Sequence, residues 1–376
     1  MFVTIHTLDS LPWNGSNLDD DGQPKTGWFG GTLRARLSSQ SLKRARRLHM
    51  RNEGAPSSVR TRLVRGRLTE MLALRGRDAE EASLIVRAGL GAIGLAMNKD
   101  HPERTEYLLF LGDDELERIA EALHAAEVWD ELLAVLHAAE VAESKKQKAV
   151  APDTRLTRAA LLEVFGEGSQ AVDLALFGRM VADRDDIDVD AAVQVAHSMG
   201  VHHHEAEEDP WVAVDDLAPD AGAGMMESSY FAASVLYGST TVDIHKLVRN
   251  LGNAERAKRA LAEYMWATVL AAPMGRKNSW SAYTPPSLIL ATVSTRQPFS
   301  LANAFLQAVQ PAQNRSLVEV GTDALDAYLL WCNQTYGPLG EQLTVVAGQS
   351  LPQAGISKVT VPQLVELGGD AAFPAL

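Results

Sequence analysis

Cysteine is almost missing from this chain of 376 residues: Cys332 stands alone. That excludes an internal disulfide and a cysteine-based zinc site, and it fits a reducing cytoplasm. Long apolar runs are missing as well. No stretch reaches the length of a bilayer span, so no association with a membrane is expected. The start, Met1 to Asp9, has no basic n-region, so a signal peptide is not expected either. Catalytic signatures are also absent: there is no G-x-S-x-G, no H-E-x-x-H and no G-x-x-x-x-G-K-[ST]. Gly166-Glu167-Gly168-Ser169 is too slight to be a phosphate loop. The chain reads as a non-enzyme with no cofactor.

What the chain does have is an uneven charge. The net charge is −13, which argues at first against nucleic acid. Met1 to Arg75, however, holds 13 Lys+Arg against 6 Asp+Glu, or +7, and the remainder holds 22 against 42, or −20. Between Arg34 and Arg67 there are 11 basic residues and one acidic residue, Glu53. A basic surface on an acidic body can hold a phosphate backbone, because fields beyond a Debye length are screened.

The stretch Phe29 to Arg47 concentrates this charge behind a distinctive lead-in. The pair Gly30-Gly31 permits close approach of backbone to a ligand. Ser38-Ser39-Gln40-Ser41 supplies capping hydroxyls, and a helix then opens with Lys43, Arg44, Arg46 and Arg47. Cations in a first helical turn oppose the macrodipole, so four of them there imply an arriving anion. A second basic turn, Gly275-Arg276-Lys277-Asn278-Ser279-Trp280, offers cations, an amide, a hydroxyl and an aromatic suited to phosphate, sugar or base.

Local patterns mark the organisation. Phe2 to Leu8 reads as a strand, and Asn14 to Thr26 as a polar loop. Val59 to about Lys148 is mainly helical, with a short apolar run, Leu108 to Leu111, that suits a strand, and Ser144 to Lys148 reads as a solvated turn. A new unit begins near Asp173. Asp190 to Ser198 suits a strand or short helix, and Thr240 to Ile244 and Leu288 to Val293 suit strands. Ala254 to Ala271, Ala302 to Val309 and Ala324 to Asn333 suit helices. Gly200 to Glu227 is a long polar stretch with Trp211, Val214, Met225 and Met226 set singly in it, and loops of that length are usually functional or disordered.

Two clusters suggest metals without the right spacing. His202-His203-His204 with Glu205, Glu207, Glu208 and Asp209 places its histidines side by side, where they point in different directions, so an exposed polar loop is expected. Asp183 to Asp188 lacks the glycine and terminal glutamate of an EF-hand.

The core F-G-G…R-x-R-x-S-S-Q-S-x-K-R from Phe29 to Arg47 closely resembles the CasC family, the repeated backbone subunit of type I-E Cascade in CRISPR immunity. The resemblance continues through Asp173 to Met180, Val195-Ala196-His197, Ala213 to Leu217 and Gly275 to Ser279, in order along nearly the whole chain. It implies an α+β fold: an RRM or ferredoxin-like palm (1–58 and 171–376), a large helical insertion as fingers (59–170) and a long β-hairpin as thumb (200–227). It also implies copies stacked head to tail on CRISPR guide RNA, other Cascade subunits and target DNA as partners, and bases displaced at regular intervals. The RNA-binding set implied is Lys25, Gly30, Gly31, Arg34, Ser38, Gln40, Lys43, Arg44, Arg47, Arg179, Met180, Trp211, Met226, Arg276 and Lys277. Two positions depart from the family. Leu18 stands where an arginine is frequent, and Pro210 where an aromatic is frequent, which leaves Trp211 as the wedge. The alternatives are a metal-dependent nuclease using His202 to Asp209, and a stand-alone binder of single strands.

Overall fold

The computed structural model describes residues 1–145, 153–182, 184–218, 222–273, 275–338, 345–356 and 358–374. Lys146, Gln147 and Lys148 of the expected turn, and Asp183 of the acidic run, lie outside the described residues. In chain order the elements are β1 (Phe2–Asn14), β2 (Thr26–Phe29), β3 (Thr32–Leu37), α1 (Ser39–Asn52), β4 (Ser58–Thr61), α2 (Val64–Leu74), α3 (Ala79–Ala92) and β5 (Leu109–Gly112). Next come α4 (Asp113–His124), α5 (Ala126–Ser144), α6 (Arg155–Gly166), α7 (Val172–Phe177), β6 (Val193–Val195), β7 (Ser198–Gly200), β8 (Glu207–Val214) and β9 (Ala223–Asp243). The rest are α8 (Ile244–Leu251), α9 (Ala254–Leu270), α10 (Lys277–Trp280), β10 (Leu288–Ser294), α11 (Leu317–Tyr336), β11 (Val345–Gly348) and α12 (Val361–Ala372). The chain divides into two units, one of Met1–Glu53, Val193–His245 and Ala254–Leu376, the other of Gly54–Ala192 and Lys246–Asn253.

The first unit is built on an antiparallel sheet of order β11-β10-β1-β9-β7-β3-β2, with β6 and β8 also pairing with β9. β1 lies between β10 and β9, and Val3, Thr4, Ile5, His6, Thr7 and Leu8 are all buried, so both of its faces are covered. The polar side chains on this strand are therefore paired. Thr4 Oγ1 meets Thr241 Oγ1 across the ladder at 3.0 Å, and His6 Nδ1 meets Tyr237 Oη at 2.8 Å. Burial lowers the His6 pKa to about 4, because the charged ring would lose its hydration. α11 opens with a capping box, Ser316 Oγ accepting from Glu319 N while Glu319 accepts from Ser316 N, and its Leu325 and Leu329 join Leu8, Tyr237 and Phe305 in the core.

Two readings of the sequence change in this unit. Ala302 to Val309 is not a helix: only Ala302–Phe305 makes a 3₁₀ turn, because the Val309 N–H bonds to Val201 O instead of continuing a helix. The strand expected at Thr240 to Ile244 is the end of β9 as far as Asp243, with Ile244 opening α8, and the 21 residues of β9 pair first with β8 and then with β1.

The second unit pairs β4 with β5 and surrounds a helical core that includes Leu68, Leu72, Ile85, Leu90, Ile119, Leu123, Trp129, Leu132 and Leu161. Arg179 and Glu115 form an ion pair inside it, Nη1 to Oε2 at 2.8 Å, with both side chains essentially inaccessible. Glu115 also accepts from Gly112 N at the start of α4, so one carboxylate caps a helix and neutralises the arginine. No helix among the described residues is long and apolar enough to cross a membrane.

Candidate nucleic-acid interface

α1 begins where the serine run predicts. Ser38 is the N-cap in extended conformation, and its Oγ accepts from Ser41 N at 3.4 Å. The free backbone N–H groups expected at this turn are largely occupied, however. Asn17 Oδ1 takes the Ser38 N–H at 2.8 Å, and His197 Nδ1 takes the Ser39 N–H at 3.1 Å. An anion here must be met by side chains as much as by the helix end.

His197 gains a clear role. Its Nδ1 faces two donors, Ser39 N–H and Arg36 Nη1 at 3.4 Å. That requires the neutral ring with its proton on Nε2. Partial burial, and then the Arg36 charge, hold its pKa below the ordinary histidine value.

Along α1 the inward face is Leu42, Ala45, Arg46 and Met50. Gln40, Lys43, Arg44 and Arg47 fall at spacings of three, four and seven on the other side and form one polar stripe, with Gln40 and Arg44 exposed and Lys43 and Arg47 half-buried. Arg46, read as one of four cations awaiting an anion, turns inward. It donates to Tyr264 Oη at 2.8 Å on α9 and lies over that ring.

Other members of the expected set also change place. Gly30 and Gly31 both have positive φ and form the two-residue turn joining β2 to β3, the conformation that favours a Gly-Gly hairpin. A Cβ on Gly30 would collide with the Leu306 carbonyl, so that glycine serves packing inside the unit; Gly31 has open space around it. Arg34 is buried, donating to Gly200 O and Phe305 O at 3.0 Å each, and it is a structural cation instead of a phosphate ligand. Arg179 is likewise interior through Glu115. Met180, next to it in the second unit, is 83% exposed. Lys25 is half-buried just before β2, and its carbonyl accepts from Arg36 N.

β8 and the first half of β9 form the expected hairpin, solvent-exposed along all of β8. Its register places Trp211 opposite Glu227 and Val212 opposite Met226. Side chains alternate faces along a strand, so Trp211 and Met226 lie on opposite faces of the ribbon. At its root the histidine cluster is exposed only in part, with His203 and the residues from Glu205 to Asp209 on the surface. His204 is buried, and His202 Nε2 accepts from Val235 N at 3.1 Å. Among the described residues no three His, Cys, Asp or Glu side chains gather as a metal cage.

The second basic turn meets the first motif. Arg276 and Lys277 are exposed, and Lys277, Asn278 and Trp280 line a groove of about 940 Å³ together with Ser41, Arg44, His49 and Asn52 of α1. Gly275 is required there, since a Cβ would stand 2.6 Å from Ser16 O. Thr7, Asp9 and Ser198 also line it. Asp9 accepts from Thr7 Oγ1 at 2.7 Å. Burial raises its pKa to about 6, against the opposing pull of that hydrogen bond and of Arg46. The sequence reading gave no role to Asp9, Arg36, Asn17 or His197. Arg36 and His197 nevertheless fall inside the motifs that carry the family resemblance.

The family model of CT1975-like proteins matches residues 3–367. A solved chain titled "CRISPR RNA-guided surveillance complex, pre-nicking" superposes with a TM-score of 0.85 at 30% identity, covering 99% of this chain and 100% of that one. A second, titled "CRISPR RNA-guided surveillance complex", gives a TM-score of 0.75 at 27% identity, covering 99% and 100%. No curated protein matches.

Proposed function

The chain belongs to the family of CT1975-like proteins, in keeping with the resemblance read from its motifs, and on that premise we propose that it is a non-catalytic backbone subunit of an RNA-guided CRISPR surveillance complex. In this reading the first unit is the palm, the second unit the fingers and the β8–β9 hairpin the thumb. The subunit holds the backbone of CRISPR guide RNA and stacks head to tail with further copies, beside other subunits of the complex. Bases are displaced at intervals so that the guide can pair with target DNA.

The observation that carries this reading is the groove. Its exposed cations are Arg44 and Lys277, drawn from two motifs far apart in sequence, with the inward-turned Arg46 beside them and Asp9 the single acid among the described lining residues. A cationic groove with mixed polar and apolar walls tracks a phosphate backbone without reading its sequence. The apolar side chains on both faces of an otherwise polar hairpin suit wedges at an unstacked base.

The test is assembly. Purified protein mixed with single-stranded RNAs of increasing length should form regular particles whose size grows with the RNA, seen by electron microscopy and light scattering. Particles of constant size, or strand cleavage, would refute the reading.

A further inference from the structure

We propose that Trp13, Phe231 and Trp280 form a stacking platform for a base of the bound single-stranded RNA, beside the groove that holds its backbone. The inference rests on the RNA-binding reading above and adds to it a base-contacting site on the first unit.

The three rings form a row. Phe231 and Trp280 have centroids 4.8 Å apart, and Trp13 meets Phe231 edge-on at 6.0 Å. Trp280 lines the groove, and Trp13 is 61% exposed. The row therefore starts in the cationic groove and ends on open surface.

Three local irregularities build this row. The pairing of β1 with β9 shifts register between Leu11 and Asn14, so Pro12 and Trp13 fall in a bulge. Bulges re-aim side chains and recur beside functional sites. Asn14 Nδ2 secures the bulge by donating to Pro12 O and Ala232 O, both at 2.9 Å. On the other side, α10 is bracketed by Arg276 and Ser281, each at φ 47. Left-handed non-glycine residues are strained and cluster at functional sites. Phe231, in the middle, pairs with Glu207 at the root of the hairpin.

The exposed indole of Trp13 is a cost in water unless something covers it. The surroundings favour a base as the cover. Arg276 and Lys277 are exposed on the same turn as Trp280, and among the described residues lining the groove Asp9 is the single acid. An aromatic face flanked by cations takes any base, because every base has a π face.

The test uses the full chain and two fluorescein-labelled probes, an oligouridylate and an abasic strand of equal length and charge. Trp280→Ala should weaken binding of oligouridylate about tenfold and leave the abasic strand and the salt dependence unchanged. Trp280→Phe should restore most of the loss. Trp13→Ala, at an exposed indole whose removal spares the core, should show a smaller loss of the same kind, so the test survives a Trp280 variant that misfolds. If wild type binds oligouridylate and both alanine variants match it, the platform is refuted alone. If wild type binds neither strand, the RNA reading falls and the platform with it. Variants that alter self-association of the protein without RNA, and not RNA affinity, would refute a base in favour of a protein partner.

Discussion

Replacing Asp9 by asparagine should stabilise the first unit at pH 7.5 and leave it unchanged at pH 4. Asp9 sits on the sheet under α1, and burial raises its pKa from 3.8 to about 6. Asparagine keeps an oxygen to accept from Thr7 Oγ1, so it imitates the protonated acid. The sign follows from linkage. Between pH 3.8 and 6 the folded state binds more protons at this site than the unfolded state, so its stabilising contribution is complete below 3.8 and is lost as pH rises through 6. A rise of about two units, at 1.36 kcal/mol each, makes the loss about 3 kcal/mol, an upper bound because the carboxyl borders the groove. His6 acts in the opposite sense. Its pKa is lowered from 6.5 to about 4, so its contribution is present above 6.5 and is lost as pH falls through 4. In wild type the two nearly cancel between pH 4 and 6. In Asp9→Asn the histidine acts unopposed, and stability should fall by about 3 kcal/mol from pH 6.5 to 4. Urea unfolding followed by tryptophan fluorescence across this range measures both chains. Parallel pH profiles for the two would refute the raised pKa of Asp9.

Lys43→Ala with Arg44→Ala should lower the salt slope of RNA binding by about 1.4, two contacts at about 0.7 each for single strands, and weaken all sequences equally; filter binding between low and moderate salt reads this. Arg179→Met should destabilise the second unit by about 3–5 kcal/mol, since it leaves Glu115 charged and buried without its partner; thermal unfolding with limited proteolysis of the helical unit measures it. Deleting Glu205 to Ala223 should leave the first unit folded, because β8 is exposed throughout and contributes no residue to the buried core. The same deletion should abolish regular particles on RNA while sparing weak binding, as electron microscopy and filter binding would show.

The elements legible in the sequence were those with a local signature. α1 follows its Ser38 cap, α9 matches its expected span, the helix expected at Ala324 to Asn333 is the middle of the longer α11, and β1 and β10 follow their runs of β-formers. The fold family was legible from motifs at widely separated positions. The outer half of β9 was legible only through the family resemblance, since it is a polar ribbon held by pairing with β8 and carries no buried face to mark it as a strand. The arginines were misread for a related reason. A sequence shows charge but not direction, and Arg34, Arg46 and Arg179 all turn inward to carbonyls, a tyrosine or a glutamate. The groove was legible in its two halves, the α1 start and the Gly275 turn. Their meeting, and the presence of Asp9 beside them, depend on the sheet.

β9 also sets how the first unit answers to force. At about 3.3 Å per residue its 21 residues span about 70 Å when extended. The outer part is a handle gripped by β8 alone, and the inner part runs through the sheet with β1 on one side and β6 and β7 on the other. A pull on the hairpin tip along the strand is therefore delivered as shear to the middle of the ladder, where many hydrogen bonds share it at once. A pull across the ribbon peels β8 from β9 one pair at a time. The hairpin resists tension along its axis strongly and splaying weakly.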